Sequence, residues 1–173
     1  NDGNTGTDTQ DILVTVNPVN DAPEIEAIGD VSFQEGGTAE ITVVGSDVDT
    51  ATIGDVLTYS CDSGANITCS VIGADITFST PADPEWNGSE VLTVTVNDNQ
   101  GQPNSQTSTT VNVTVNAEND EPVLDNIADH SFDEDEENVA LRTITVSASD
   151  ADEDDLSYSC VASDNIACTP DGD

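Results

Sequence analysis

Basic side chains are almost absent from this sequence. A single residue, Arg142, stands against 36 aspartates and glutamates, so the formal net charge is −35 over 173 residues. A surface of this charge repels nucleic acid and anionic membranes, and we exclude both as partners. Because like charges also repel one another, a compact fold needs cations to neutralise its acidic clusters or salt to screen them. The composition therefore favours a protein that binds divalent metal.

Aromatic residues, helical periodicity and long apolar runs are also scarce. Aromatic residues make up only 3% of the chain, which together with the high charge is typical of disorder. Against disorder, four short segments rich in β-branched residues alternate mostly with period two, at 12–16, 41–44, 91–96 and 111–115. No apolar run approaches the length of a membrane span, and the first residues carry no signal peptide. We therefore expect a soluble, all-β chain that is processed or excerpted from a longer one.

The sequence repeats itself at a spacing of 99 positions. Asn20-Asp21-Ala22-Pro23 recurs as Asn119-Asp120-Glu121-Pro122. The same spacing relates three further pairs: Phe33 and Phe132, Tyr59 and Tyr158, and Cys69 and Cys168. A fixed period of this length indicates tandem modules. We assign 1–19 to the end of a preceding module, including its last strand, 20–118 to one complete module, and 119–173 to the first part of a following module.

The complete module contains seven short segments with strand character, separated by turns rich in glycine, proline and asparagine. They lie at 24–33, 39–45, 56–61, 67–72, 75–79, 90–96 and 107–116. Because this pattern is typical of an immunoglobulin-like sandwich, we predict tandem seven-stranded antiparallel Greek-key β-sandwiches. In such a sandwich the loops after the first and fifth strands lie at one end, here called the lower end. The loops after the second and sixth strands lie at the opposite, upper end.

Acidic residues concentrate in the loops that this topology places around the linker between two modules. Glu35 follows the first strand, and Asp83 and Glu85 follow the fifth. The linker 116–122 leaves the same lower end and leads to the acidic loop 150–155 at the upper end of the next module. Calcium takes oxygen ligands of this kind, whereas zinc prefers His and Cys. Acidic runs are most often solvated surface, but scattered surface acids would not gather around one linker.

The acidic loops and the linker resemble those of the cadherin family and its bacterial cadherin-like relatives in secreted adhesins. Cadherins hold calcium between modules with acidic residues after the first and fifth strands, an Asp- and Asn-rich linker, and an Asp-x-Asp pair of the next module. The resemblance implies these ligands at the lower junction: Glu35, Asp83, Glu85, Asn116, Asn119, Asp120, Asp150 and Asp152. It implies these ligands at the upper junction: Asn17, Asn20, Asp21, Asp47, Asp49 and Asp98. The order of Asp and Asn in the linker differs from the animal pattern.

The four cysteines fall into two pairs with the same internal spacing. Cys61 and Cys69 lie in the complete module, and Cys160 and Cys168 lie in the following one. The simple prediction is a local disulfide in each module, tying the third strand to the fourth. A zinc site built from all four cysteines is the alternative. Disulfides indicate an oxidising compartment, so we expect an extracellular or cell-surface location.

The sequence offers little that supports catalysis. His130 is the one histidine, there is no glycine-rich phosphate loop, and we expect no enzyme. We predict a rod of modules that contact their neighbours in the chain and stiffen when calcium binds, as the stalk or adhesive region of a bacterial surface protein. One alternative is the subunit of an extracellular fibre, completed by strand exchange between identical molecules. Another is an accessory glycan-binding module of a secreted polysaccharide hydrolase.

Overall fold

The computed structural model describes residues 8–50 and 54–170, and within them the chain is all-β apart from one 3₁₀ turn, Val139–Leu141. The predicted fold class is confirmed. The strands are, in chain order, β1 Glu24–Ile25, β2 Val31–Gln34, β3 Thr38–Thr42, β4 Gly45–Ser46, β5 Thr58–Asp62, β6 Thr68–Ile72, β7 Asp75–Ser79, β8 Gly88–Asn97, β9 Gln106–Asn116, β10 Val123–Leu124 and β11 Ala148–Ser149. No helix in these ranges has the length and apolar character that a membrane crossing requires.

Two sheets face each other in the part of the chain predicted to be the complete module, 20–118. One sheet has the strand order β2-β9-β8-β5, and the other has the order β3-β7-β6. All pairs within these sheets are antiparallel except β2 and β9, which run parallel with Val31 opposite Val113. This arrangement puts the β2–β3 and β7–β8 loops at the lower end and the loops that follow β4 and β8 at the upper end.

The first strand is not continuous, in contrast to the single segment predicted at 24–33. β1 pairs with β4, with Glu24 opposite Ser46, whereas β2 pairs with β9 in the four-stranded sheet. The chain therefore changes partner between β1 and β2, and the residues between them leave the ladder. Local sequence periodicity does not report such a change, because the partner strands lie far away in the sequence.

The core lies between the two sheets and follows the period of two in the strands. β7 buries Ile76 and Phe78, and β8 buries Val94 and Val96. The residues next to them along each strand are exposed or only partly buried. Successive side chains of a strand point to opposite faces, so alternating apolar residues fill one continuous layer. Trp86 in the β7–β8 loop packs against the edge of this core.

The predicted disulfides are both present. The Cys61–Cys69 bond joins β5 to β6, which are the edge strands of opposite sheets, and the Cys160–Cys168 bond repeats it in the following module. None of the four cysteines has a free thiol, so the alternative of a four-cysteine zinc site is wrong. Zinc binds cysteine as the thiolate, and a sulfur in a disulfide bond is no longer one, so the bond instead fastens the two sheets together.

The part of the chain after the linker repeats the start of the complete module. β10 pairs with β11 as β1 pairs with β4. The backbone N–H of Asp125 donates to Ser147 O at 2.9 Å, as that of Glu26 donates to Val44 O at 2.9 Å. Phe132 is 45% exposed, whereas its counterpart Phe33 is 7% exposed. Among 119–170 no strand corresponds to β7, to β8 or to β9, where Val115 lies opposite Phe33 in the complete module.

The segment ahead of the first linker differs from its prediction. Residues 12–16, predicted as the last strand of a preceding module, form no strand, and Leu13 is 94% exposed. A lone strand without a hydrogen-bonded neighbour has no ladder to join, and the described residues pair no strand with this segment. Asn17 belongs to the same exposed segment, and residues 1–7 lie outside the described ranges.

Candidate cation sites at the two ends of the module

Three carboxylates from separate segments meet at the lower end. Glu35 lies in the β2–β3 turn, Glu85 in the β7–β8 loop, and Asp120 in the linker after β9. One oxygen of each lies within 4.8 Å of the others. We call this group the lower cluster. It brings together residues that are 35 and 50 positions apart in the sequence, as the predicted loop arrangement required.

Backbone hydrogen bonds hold the loops of the lower cluster in place. The N–H of Glu35 donates to Asn116 O at 2.9 Å, and the N–H of Gly36 donates to Pro84 O at 2.7 Å. In turn, the N–H of Glu118 donates to Oε1 of Glu35 at 2.6 Å. The β2–β3 turn is thereby fastened both to the β7–β8 loop and to the start of the linker.

The charges of the lower cluster act on one another. A side-chain hydrogen bond with Asp120 raises the pKa of Glu85, and the negative charge of Asp120, desolvation, Glu35 and Asp83 raise it further. A raised carboxyl pKa in the company of other carboxylates means that full ionisation is disfavoured without a counter-charge. The module supplies none, because residues 20–118 contain no Lys, Arg or His.

Three other predicted ligands of the lower junction lie around the cluster without joining it. Oδ1 of Asp83 accepts from the N–H of Glu85 at 3.2 Å. The side-chain amide of Asn116 donates to Phe33 O at 3.4 Å, and that of Asn119 donates to Asp120 O at 2.7 Å. Their role as cation ligands stays a prediction.

Asp120 also contacts the following module. Its backbone N–H donates to Oδ2 of Asp152 at 2.6 Å, while its carboxylate belongs to the lower cluster. Asp150, Asp152 and Asp154 form a further group of carboxylates within 4.8 Å. The N–H of Asp152 donates to Oδ1 of Asp150 at 3.0 Å and orders that loop. One linker residue thus joins the acidic groups of two modules.

The upper end of the complete module carries the same motif in a more enclosed form. Oxygens of Asp47, Asp49 and Asp55 lie within 4.8 Å of one another, and we call these three residues the upper cluster. The N–H of Asp21 donates to Oδ2 of Asp49 at 2.7 Å, in the position that Asp120 takes toward Asp152. Asp21 therefore enters this end through its backbone.

The β8–β9 loop closes over the upper cluster. Asp98 is fully buried, and its oxygens accept from the side-chain amide of Asn20 at 2.9 Å and from the N–H of Gln100 at 2.8 Å. Desolvation raises the pKa of Asp98, but these hydrogen bonds and one from Ser105 outweigh it, and the pKa is lowered overall. Asp98 is thus held ionised at neutral pH.

Asp55 and Asp154 were missed by the sequence reasoning. Desolvation raises the pKa of Asp55, and the charges of Asp47, Asp98 and Asp49 raise it further. The available signal was the repeat itself, since Asp154 follows Asp55 by the same 99 positions that relate the other landmarks. The Asp-x-Asp pairs at 47 and 150 do not keep that spacing, so they do not indicate the third aspartate.

Comparison with known proteins finds one matching family model and two similar solved structures. The sequence model of a family described as the bacterial Ig domain matches residues 20–116. Two crystal structures of human protocadherin-24 EC1-2 are similar at 22% identity. The first aligns over 65% of this chain and 52% of its own chain, with a TM-score of 0.43. The second is another crystal form, which aligns over 76% of this chain and 62% of its own chain, with a TM-score of 0.45. The chain thus spans less than two thirds of either structure. No curated protein matches it.

Proposed function

Because the chain belongs to the bacterial Ig domain family, we propose that it is a non-catalytic structural module of an extracellular protein, whose linkers stiffen when calcium binds. The lower cluster is the observation that carries this proposal. Glu35, Glu85 and Asp120 come from two loops and a linker, and their oxygens lie within 4.8 Å of one another. The two disulfides support an extracellular, oxidising location.

The donor set of the lower cluster suits calcium. Its members offer carboxylate oxygens, which hard cations prefer, and the open loops suit the flexible, high coordination number of calcium better than the strict octahedron of magnesium. A calcium ion here would supply the positive charge that the module's own side chains lack. It would bind Glu35, Glu85 and Asp120, whose oxygens lie within 4.8 Å of one another.

Stiffening follows from the two contacts of Asp120. Its N–H is held by Asp152 of the following module, and its carboxylate faces Glu85 of the preceding one. Without a cation, the mutual repulsion of the carboxylates favours linker conformations that separate them. A cation that binds only the aligned arrangement shifts the population toward it by its differential affinity. Calcium would therefore convert a flexible linker into a defined junction.

Small-angle X-ray scattering of the 173-residue chain tests the proposal. With calcium, we expect a longer maximum dimension and a narrower distribution of conformations than in EGTA. Glu85→Gln combined with Asp120→Asn should abolish this difference. The matched control is Asp62→Asn combined with Asp30→Asn, because both aspartates are exposed and lie outside the carboxylate groups. Identical scattering of the unaltered chain in calcium and EGTA would contradict the proposal.

The two alternative functions stay predictions. The glycan-binding alternative draws no support from Trp86, the one tryptophan, because its ring packs against the core instead of standing free as a sugar platform. A Cβ on Gly88 would lie 2.8 Å from the Trp86 ring, and Gly88 has φ +148°, so the turn is built around this packing. No contact among the described residues favours a fibre over a chain of modules.

A further inference from the structure

The complete module contains three motifs of the form Asn-x-Ser/Thr that the proposed function does not use. They are Asn66-Ile67-Thr68, Asn87-Gly88-Ser89 and Asn112-Val113-Thr114. In a secreted protein this motif is the acceptor of N-linked sugar, which is bulky and needs a surface position. A motif of three residues also arises by chance, so the structural surroundings of each asparagine decide whether it can accept sugar in the folded chain.

The first motif is held inside the module by its own side chains. Nδ2 of Asn66 donates to Oε1 of Glu90 at 2.9 Å, and the N–H of Asn66 donates to the same oxygen at 3.0 Å. Oγ1 of Thr68 donates to Ser79 O at 3.3 Å. The motif also lies within the disulfide-bonded loop between β5 and β6. An enzyme could reach this amide only by breaking these bonds, so the first motif is closed in the folded chain.

The third motif lies within a central strand. β9 pairs with β8 on one side and with β2 on the other. Asn112 lies opposite Val91, and Thr114 lies opposite Ser89, with 2.9 Å between the hydroxyl oxygens of that second pair. An acceptor segment must leave its sheet to enter the active site of a transferase. Central strands open only at a free energy close to that of global unfolding, so the third motif is also closed.

The second motif lies where an exposed loop meets the end of a strand. Asn87 is exposed, and residues 81–85 before it are exposed as well. Its Nδ2 donates to Oε2 of Glu35 at 3.2 Å, in a bond that water can reach. Gly88 and Ser89 are the first two residues of β8. The end of a strand opens at a lower free energy than its centre, so this motif can reach an enzyme while the module stays folded.

We propose that Asn87 is a site of N-linked glycosylation, a modification that rests on the extracellular location proposed above. The donor is an oligosaccharide linked to a lipid through pyrophosphate, and an oligosaccharyltransferase catalyses the transfer. Nδ2 of Asn87 attacks the anomeric carbon of the sugar, and the bond from that carbon to the pyrophosphate oxygen breaks. Nδ2 loses one proton, and the pyrophosphate leaves with the lipid. Because Nδ2 keeps its other hydrogen, the glycosylated amide still has one to donate to Glu35.

The test is transfer of sugar to the purified, disulfide-bonded 173-residue chain by an oligosaccharyltransferase with a lipid-linked donor. Peptide mass spectrometry locates and quantifies the sugar at Asn66, Asn87 and Asn112. Three synthetic peptides, one for each motif, give the rate of transfer without the fold, and the enzyme is chosen to accept all three. We expect the chain to react at Asn87 about as fast as its peptide does, and at Asn66 and Asn112 at less than about a tenth of the peptide rates.

Variants of the second motif separate specific transfer from a general reaction of the surface. Asn87→Gln and Ser89→Ala should each abolish transfer at this motif, whereas Ser89→Thr should keep it. Both positions are exposed, so the variants should melt at the temperature of the unaltered chain. A rate at Asn87 below a tenth of its peptide rate would overturn the proposal. So would equally fast transfer to Asn66 or Asn112 in the folded chain, or continued transfer to Asn87 in Ser89→Ala.

The outcome for this site is distinguishable from that of calcium stiffening. The transfer is measured in magnesium without added calcium, so it does not depend on the lower cluster holding calcium. Ser89→Ala removes the motif without touching the carboxylates of that cluster, and it should keep the difference in scattering between calcium and EGTA. If scattering responds to calcium but Asn87 accepts no sugar, the glycosylation proposal fails alone. If Asn87 accepts sugar but scattering does not respond, the stiffening proposal fails alone.

Discussion

Glu90 of β8 is expected to hold the disulfide-bonded loop between β5 and β6 through its charge. Its Oε1 accepts from the N–H and the side-chain amide of Asn66, at 3.0 and 2.9 Å, and its Oε2 accepts from the N–H of Ile67 at 3.0 Å. A Cβ on residue 64 would lie 1.9 Å from Oε2 of Glu90. The loop can therefore approach Glu90 this closely only because residue 64 is glycine. We propose Glu90→Gln as the perturbation.

The expected loss can be estimated from these three bonds. Glutamine keeps one acceptor oxygen for Asn66 but turns an N–H group toward the N–H of Ile67, so one bond is lost and two become neutral. Hydrogen bonds to charged groups contribute roughly 1.5–3 kcal/mol and neutral ones roughly 0.5–1.5 kcal/mol. After a discount for the partial exposure of Glu90, we expect about 2 kcal/mol of lost stability at pH 7. For a module of this size that corresponds to about 10 °C in Tm.

The loss should depend on pH in a defined direction. Desolvation raises the pKa of Glu90, but the hydrogen bonds from Ile67 and Asn66 outweigh it and lower the pKa below its ordinary 4.5. A lowered folded-state pKa contributes stability that is fully present above the unfolded value and is lost as the pH falls through the folded value. The difference between the unaltered chain and Glu90→Gln should therefore be constant near pH 7 and shrink below about pH 4.5.

Denaturant unfolding followed by Trp86 fluorescence measures this difference, because the one tryptophan lies in the complete module. Other carboxylates titrate in both proteins, so their contributions cancel. Glu40→Gln is the matched control: Glu40 is exposed on β3 and accepts one long bond from Thr77 at 3.5 Å, so its loss should stay within about 0.5 kcal/mol. A Glu90→Gln effect equal to that of the control, or one that persists unchanged at pH 3, would refute the reasoning.

Two further predictions concern the core and its disulfide. Cys61→Ser with Cys69→Ser should lower the free energy of unfolding by roughly 2–3 kcal/mol on loop-entropy reasoning, measured as a shift of the urea midpoint, and a midpoint unchanged by reduction would contradict it. Ile76→Ala removes a fully buried side chain and should cost about 2–5 kcal/mol, equally in calcium and in EGTA, since Ile76 lies in the core away from both clusters. A loss confined to EGTA would show that the core is coupled to the cation sites.

Local patterns in the sequence predicted the features that depend on local physics. Period two located β5 to β9, because alternate side chains of each of these strands pack in the core and are buried or partly buried there. The two cysteines of each repeat are separated by the same number of positions, and this shared spacing predicted the disulfides. Loop order along the chain predicted that Glu35 and Glu85 lie at one end, because the direction of each strand fixes the end at which its loop lies.

Three features that depend on long-range contact were not predicted. The break between β1 and β2 follows from a change of partner strand, which no local period reports. The burial of Asp55 depends on Gln100 and Asp98, which arrive from a loop more than 40 positions away. The hydrogen bonds of Glu90 are hidden for the same reason, since its neighbours in sequence are ordinary strand residues and its partners lie between two cysteines of another loop.

Cation binding at the lower cluster and at the acidic group of the following module is expected to be coupled, because Asp120 contacts both groups. In each module the backbone N–H of the linker aspartate donates to the second aspartate of the upper Asp-x-Asp pair, at Asp21 to Asp49 and at Asp120 to Asp152. A cation that orders Asp150, Asp152 and Asp154 would therefore fix Asp120 and hold its carboxylate beside Glu85. The lower cluster would then bind its own cation with a smaller entropic cost, because the linker is already ordered. Linkage makes this coupling reciprocal. Asp154→Asn, far from the lower cluster in sequence, should accordingly weaken the response of the Glu35 and Glu118 amides in a calcium titration followed by backbone amide NMR, and an unchanged response would contradict the coupling.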